Sequence, residues 1–562
     1  MIEMSVQSTE SLVENNVSKK ERNNKINGKV TELDTYFNEE ITIPQTDDYS
    51  FSWRKLWAFT GPGFLMSIAY LDPGNIESDM QAGAAARYRL LWVLVSATII
   101  GLFLQRLSAR IGVVTGSHLA EICYRRYPKW PRLLLWIMSE IAIIGSDMQE
   151  VIGTAVAIYL LSNRVIPLYG GVLLTIFDTF TFLFLDRYGL RKLEAFFGFL
   201  IALMAATFGY EFFKVQPNAL EVVEGVVIPY CKDCSSGALL QAVGIIGAII
   251  MPHNLYLHSA LVKSRKIDRK IKDEVNDANR YVFIEAVVAL GVSLLINIAV
   301  TSVFAHEIYG KSNENVINIC MKAEDPQRYD IQGWANDTEP FDTDLYKAGV
   351  YLGCSFGAFA MYIWAVGIFA AGQSSTMTGT YSGQFVMEGF LNLKWSRWKR
   401  VLLTRTIAIG PTLAVTLTSD INHLTGMNDY LNALMSLQLP FALLPTLTFT
   451  SSEKVMGVFT NGRIVKALST IVSIVIIAIN IYFVLTLVLE KQSLLVWIIV
   501  SIVGLFYTTF CLYLIVCLAV VLTSSRWPES VRFGEYVKES SVTEYQYNQN
   551  NTAVNVISNT KL

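Results

Sequence analysis

Charge is the scarcest commodity in this sequence. Only 16% of its 562 residues are Asp, Glu, Lys or Arg, while 52% are apolar; a soluble domain would carry roughly one charged residue in four. A water-soluble globular protein is excluded. The first 55 residues are richer in charge than the rest, so the remainder is poorer still and must hold long apolar runs. Excess positive charge is missing too: the net charge is −2, which gives nucleic acid no electrostatic reason to bind. No Gly-x-x-x-x-Gly-Lys-Ser/Thr phosphate loop occurs, so a nucleotide is not the expected energy source. The five histidines lack metalloprotease spacing, and Ser374 and Ser375 have no His within their stretch to act as a base. Neither an enzyme nor a resident cofactor is expected.

What remains is apolar sequence. A helix needs about 20 mostly apolar residues to cross hydrocarbon, because it leaves no backbone group unpaired there. Twelve such runs lie near residues 57–76, 90–114, 133–161, 167–186, 193–213, 238–262, 281–304, 346–372, 401–419, 424–450, 464–489 and 493–523. They divide the chain into a disordered N-terminal tail (1–55), spans one to six (56–262), spans seven to ten (263–450), spans eleven and twelve (451–525) and a C-terminal tail (526–562). With the N-terminus cytoplasmic, the inner loops hold about twice the Lys and Arg of the outer ones, as the positive-inside rule requires. Both tails are then cytoplasmic. The longest outer loop, 305–345, carries the glycosylation sequon Asn336-Asp337-Thr338. Cys231, Cys234 and Cys320 also fall outside, where a disulfide is permitted. Cys511 and Cys517 suit the interior of an apolar helix.

Two spans are interrupted. Span one contains Gly61-Pro62-Gly63, then Asp72-Pro73-Gly74-Asn75, and span six contains Met251-Pro252-His253-Asn254. Proline removes a backbone donor and clashes with the preceding turn, so both helices should unwind mid-membrane. Unwound backbone at that depth is tolerated only where it is buried or lines a cavity. Matched breaks five spans apart are the pattern of an inverted repeat with a substrate site at its centre. A proline kink alone would not require Asp72, and an ionised carboxylate in hydrocarbon is functional by default. Asp72 and Asn75 offer hard oxygens, the unwound carbonyls near Leu71 and Ala248 add more, and Met251 adds a soft thioether. Met251 on its own would pass for core packing. Together the set suits a divalent transition cation such as Mn(II) or Fe(II) better than Mg(II) or Ca(II).

In span three, Glu140, Asp147 and Glu150 are seven and three residues apart and share one helical face. Acids lining an apolar span do not face lipid. Such a row could pass protons, with Arg405 near the start of span nine as its cation. His253 and His258 flank the second break; they are about 140° apart on a regular helix, so one cavity would receive both only if the helix deformed. Each could instead bond a neighbouring carbonyl. We treat them as modulators of the proton path.

At these residues the chain resembles the NRAMP family of proton-coupled divalent metal transporters, particularly its animal members, over about residues 51–525. The resemblance is carried by Asp72-Pro73-Gly74-Asn75, by Met251-Pro252-His253-Asn254 and by Gly372-Gln373-Ser374-Ser375-Thr376-Met377-Thr378-Gly379-Thr380-Tyr381 between spans eight and nine. It implies an all-α membrane protein of LeuT type, with two inverted five-helix repeats and two further C-terminal helices. It also implies metal coordination by Asp72, Asn75, Met251 and the carbonyl of Ala248, and a proton route past the third-span acids and Arg405. In span ten, counting from Leu439-Pro440-Phe441, the amide placed near the metal in some members corresponds to Asn432.

The expected function is therefore import of Fe(II), Mn(II) or a related ion with protons, from either the plasma membrane or an acidic endosomal or lysosomal membrane. A receptor on the same fold, like the plant ethylene-signalling relative, should carry a large soluble domain, and the final tail is short for one. Magnesium transport belongs to branches lacking the span-six Met. The Gly372–Tyr381 stretch reads as a tight turn or gate of small residues. The basic run Lys263–Lys270 reads as a solvated cytoplasmic loop, with contact to anionic lipid a further option.

Overall fold

The computed structural model describes residues 41–44, 51–185, 190–231, 236–329, 331, 334–392, 397–418, 427–489 and 494–524. All twelve apolar runs appear as helices. Span one is split into Pro62–Ile68 and Pro73–Ala86. Spans two to five are Leu91–Thr115, Lys129–Leu161, Leu168–Leu185 and Leu190–Val215. Span six is split into Ser236–Ile249 and Pro252–Leu261, and span seven is Lys272–Glu307. Spans nine to twelve are Arg397–Thr418, Met427–Gln438 continued by Pro440–Thr450, Arg463–Leu489 and Leu494–Ser524. Nine helical stretches among the described residues are long and apolar enough to cross a membrane, and Leu168–Phe177 and Leu402–Leu417 are shorter apolar ones.

Three expected boundaries are corrected. Span eight does not end at residue 372: Leu345–Phe356 leads through Gly357 into one helix, Ala358–Leu391. The Gly372–Tyr381 stretch is therefore buried helix rather than a turn, and its small side chains let span three lie close against it. Gly357 has φ +93°, a conformation other residues rarely adopt, which explains the bend at the start of this span. Second, the N-terminal tail does not run unstructured to residue 55. Ile41–Thr42 pairs in parallel with Arg265–Lys266, a helix begins at Trp53, and buried Lys55 donates to Asp277 Oδ2 at 2.8 Å. Residues 1–40, 45–50 and the tail 526–562 lie outside the described residues. Third, the basic run is not simply solvated. Lys263 bonds both oxygens of Glu121, and Arg265, 1% exposed, bonds Glu194 at 2.9 Å. Arg269 donates to the Val113 carbonyl.

On the side assigned as outer, Cys320 is bonded to Cys354, tying the helix Asn313–Met321 to the start of span eight. Cys231 is also disulfide-bonded, whereas Cys234 lies outside the described residues. Asn336 is exposed, and Cys511 and Cys517 are buried and unpaired, as read from the sequence.

Spans two and six touch where Gly112 meets Ser259: a Cβ on Gly112 would fall 2.1 Å from the Ser259 carbonyl oxygen. Replacing Gly112 with Ala must push the two helices apart, at a cost of about 1–3 kcal/mol. Thermal unfolding of the purified protein should show a clear loss for Gly112→Ala. Gly410→Ala, whose Cβ would meet nothing within 4 Å, should leave the midpoint nearly unchanged.

Candidate functional site

The breaks in spans one and six follow from the same local chemistry. Helical carbonyls accept from the N–H four residues on, and for Ala69 and Ala248 that position is Pro73 or Pro252, which has no N–H. Each helix stops there and restarts at the proline, with Asp72 and Met251 in extended conformation as the first residue of the new helix cap. The halves on the side assigned as outer, Pro73–Ala86 and Ser236–Ile249, pack on each other, as do those on the side assigned as inner, Pro62–Ile68 and Pro252–Leu261. The two breaks consequently lie side by side. Two helix C-termini, which carry partial negative charge, end in the same buried region.

Asp72 is wholly buried. Its Oδ1 accepts from the backbone N–H and from Nδ2 of Asn75, both at 2.7 Å, while its Oδ2 has no hydrogen-bond partner. Asn75 Nδ2 also reaches the Ala69 carbonyl at 3.4 Å. Asn75, Ala248 and Met251 are buried within 2% exposure. Span ten approaches from the side: a Cβ on Gly247 would lie 2.8 Å from the Asn432 carbonyl oxygen, so the main chain of Asn432 stands against Gly247. The Asn432 side-chain oxygen accepts from Gln149 Nε2 at 2.8 Å. Gln149 itself packs on Gly74, where any side chain would collide with it. Span three thus bridges the break in span one and the amide of span ten. Among the described residues no three His, Cys, Asp or Glu side chains gather as a metal-holding group. The donors here are instead one carboxylate, amides, a thioether and freed carbonyls.

The acids of span three divide. Arg405 Nη2 lies 3.3 Å from Glu150 Oε2 and Nη1 3.6 Å from Asp147 Oδ1, all three side chains being buried. Glu150 Oε1 accepts from Ser375 at 2.7 Å, and Arg405 donates to the Thr376 carbonyl at 2.6 Å. Glu140 is not part of this group. It accepts from Trp136 of its own helix at 2.9 Å and sits about 10 Å of helix rise from Asp147. Asp72 is within electrostatic reach of Glu150.

The histidines also separate. Both are buried in a regular helix, but only His258 lines the crevice it shares with Arg106 and Arg110. Neither ring nitrogen of His258 has a partner, nor does Nδ1 of His253, so the carbonyl-bonded reading fails for His258. Gln149, Ser375 and Thr376 were not singled out from sequence. Each is an uncharged polar residue beside louder acids or within a small-residue motif, and only the tertiary contact reveals its partner.

Before the breaks in sequence, the N-terminal end of span one is clamped. Glu285 of span seven accepts from the N–H groups of Gly61 and Gly63. Arg191 and Arg265 both donate to the Thr60 carbonyl and both pair with Glu194.

The chain was compared with known proteins. Residues 63–486 match the family described as natural resistance-associated macrophage protein-like. Protein Malvolio of Drosophila melanogaster is 60% identical over 506 residues, covering 88% of this chain and 84% of that protein. Natural resistance-associated macrophage protein 2 of Homo sapiens is 60% identical over 480 residues, covering 85% and 84%. The crystal structure of the Eremococcus coleocola manganese transporter matches with a TM-score of 0.74 at 29% identity, covering 86% of this chain and 98% of that one.

Loss of the Arg405 charge would leave two buried carboxylates without their cation. Arg405→Gln is expected to destabilise the protein by about 3–5 kcal/mol, and Arg405→Lys by less, since it keeps the charge but not the fork. Thermal or denaturant unfolding in detergent measures both; equal stability of wild type and Arg405→Gln would remove the ion cluster from the structural account.

Proposed function

The chain belongs to the natural resistance-associated macrophage protein family, and on that premise we propose that it is a multi-pass secondary active transporter. It carries divalent transition-metal ions, Mn(II), Fe(II) or a close relative, into the cytoplasm together with protons by alternating access. The observation that carries this reading is the uncommitted Oδ2 of Asp72, buried at a helix break. A bare carboxylate oxygen in a dry site must be met by a cation or take up a proton, and the donors around it suit a metal ion. Asn75, the Ala248 carbonyl and Met251 supply the remaining donors, and Asn432, held by Gln149, is positioned to join them. The thioether favours softer ions over Ca(II) and Mg(II). That a structural relative is a manganese transporter supports the same choice.

Protons use the second cluster. Asp147 and Glu150 share one guanidinium, so a proton on either neutralises the trio, and the nearby charge of Asp72 makes its metal occupancy and their protonation interdependent. Glu140, farther along the same face of span three, belongs to the same proton route, and His253 and His258 flank the second break as modulators of it. An inward proton gradient and membrane voltage both drive cations toward the cytoplasm; the plasma membrane and acidic endosomal or lysosomal membranes each provide them. Asn336, exposed in the outer loop, is the proposed glycosylation site.

Uptake into proteoliposomes under an inward proton gradient tests site and substrate together. Wild type should accumulate Mn(II) and Fe(II), Asp72→Ala should fall to the level of empty liposomes, and Ca(II) should compete more strongly in Met251→Ala. Normal uptake by Asp72→Ala, with protein amount and orientation matched, would overturn the assignment.

A further inference from the structure

Spans two, six and seven leave a crevice toward their cytoplasmic ends, lined by Arg106, Arg110, His258, Asn279 and Phe283 among others. The transport reading uses His258 only as a modulator and gives the other residues of this crevice no role. Arg106 and Arg110 are one helical turn apart and therefore neighbours on the surface of span two. No carboxylate lines the crevice with them. Arg110 is partly engaged, donating to Asn461 Oδ1 at 2.9 Å and to the Phe459 carbonyl. Arg106 has only an aromatic neighbour among the described residues: its guanidinium lies 4.5 Å from the ring centroid of Phe283, and the side chain is exposed. At the back of the crevice His258 is completely buried with both ring nitrogens unpartnered. The wall thus presents two cations and an idle imidazole, and none of the described lining residues is a carboxylate to meet them.

The surrounding surface is apolar and outward-facing. Ile99, seven residues before Arg106 on the same helix face, is 59% exposed, and Val287, four residues after Phe283, is 41% exposed. Exposed apolar side chains in line on spanning helices face hydrocarbon. The distribution of Lys and Arg puts this end of the three spans in the cytoplasmic leaflet, where anionic lipids reside. An arginine at such a depth extends toward the headgroups.

We propose that the crevice binds the phosphate headgroup of an anionic phospholipid of the cytoplasmic leaflet. Arg106 is its principal anchor at the mouth, Arg110 the second cation and Asn279 a polar partner, while the fully buried His258 lies behind them, within reach of a single water at most. The acyl chains lie along the stripe containing Ile99 and Val287. A soluble phosphate has the same headgroup chemistry but nothing to place on that stripe. Because His258 belongs to the inner half of span six, occupancy would couple the bilayer to a segment beside the helix break. The inference rests on the span assignment and orientation, not on what Asp72 binds, so it stands or falls separately from the transport reading.

Native mass spectrometry of the purified full-length protein, incubated with phosphatidylcholine, phosphatidylserine, phosphatidylinositol or inorganic phosphate, is the test. Wild type should retain one anionic lipid in preference to phosphatidylcholine, a comparison that needs no variant. Arg106→Gln should lower that occupancy about fivefold, the factor one arginine contributes near an anionic leaflet. Arg106→Lys should fall between the two. Arg280→Gln, which removes an exposed cation of span seven outside the crevice, should bind as wild type does. Equal retention of phosphatidylcholine, undiminished anionic-lipid binding by Arg106→Gln, or displacement of the lipid by millimolar phosphate would each overturn the proposal.

Discussion

Two missing N–H groups organise this molecule. Pro73 and Pro252 leave the carbonyls of Ala69 and Ala248 without their helical donors, and a bare carbonyl cannot be left in hydrocarbon. Both breaks must therefore be enclosed by protein, and the surrounding spans answer for the rest of the disturbed backbone. In span seven, Asn297 Nδ2 donates to the Tyr70 carbonyl at 2.9 Å and Ser293 to the Ser67 carbonyl at 2.8 Å. Asn75 turns back toward Ala69. Span seven thus takes up part of the disturbed backbone, while Asp72 Oδ2 is left without a hydrogen-bond partner.

The same economy of charge explains the second cluster. Span three is nearly all apolar, yet it buries Asp147 and Glu150 against Arg405 with Ser375 completing the shell. Span eight can hold Ser375 and the Thr376 carbonyl there because its small residues permit close helix contact: a Cβ on Gly379 would lie 2.4 Å from Asp147 Oδ1. The long helix Ala358–Leu391 is thus part of the electrostatics. Its glycines admit carboxylates that larger residues would exclude.

Much of this was legible in the sequence. Hydropathy located the twelve spans, and proline chemistry located both breaks to within a residue or two. The acids of span three could be placed on one face by periodicity alone. What periodicity cannot supply is which neighbour completes a pair. Glu140 shares the face of Asp147 and Glu150, yet its described bond is to Trp136 of its own helix while the other two meet Arg405, a division that a shared face does not reveal. The Gly372–Tyr381 stretch looked like a turn because Gly, Ser and Thr are turn-formers in water; inside a bilayer the same residues are helix-packing residues. Likewise the basic run after span six has the composition of a solvated loop, and only the carboxylates of Glu121 and Glu194, distant in sequence, draw it inward.

That last point bears on how such a structure moves. The inner half of span one is held mainly by buried charges: Lys55 to Asp277, Arg265 to Glu194, and Glu285 to the N–H groups of Gly61 and Gly63, with the exposed Arg191 pairing to Glu194 from the rim. Buried ion pairs gain little over hydrated ions, because the attraction is set against desolvation. While the region is dry, separating any one pair strands charges and is costly. Once the half-helix tilts far enough to admit water, every one of those charges is solvated at the same time and most of the cost is returned. The clamp therefore makes partial opening the unfavourable condition and leaves closed and fully hydrated arrangements close in free energy. A carrier needs that balance at its inner end, and here it arises from charges placed where water is either wholly excluded or wholly present.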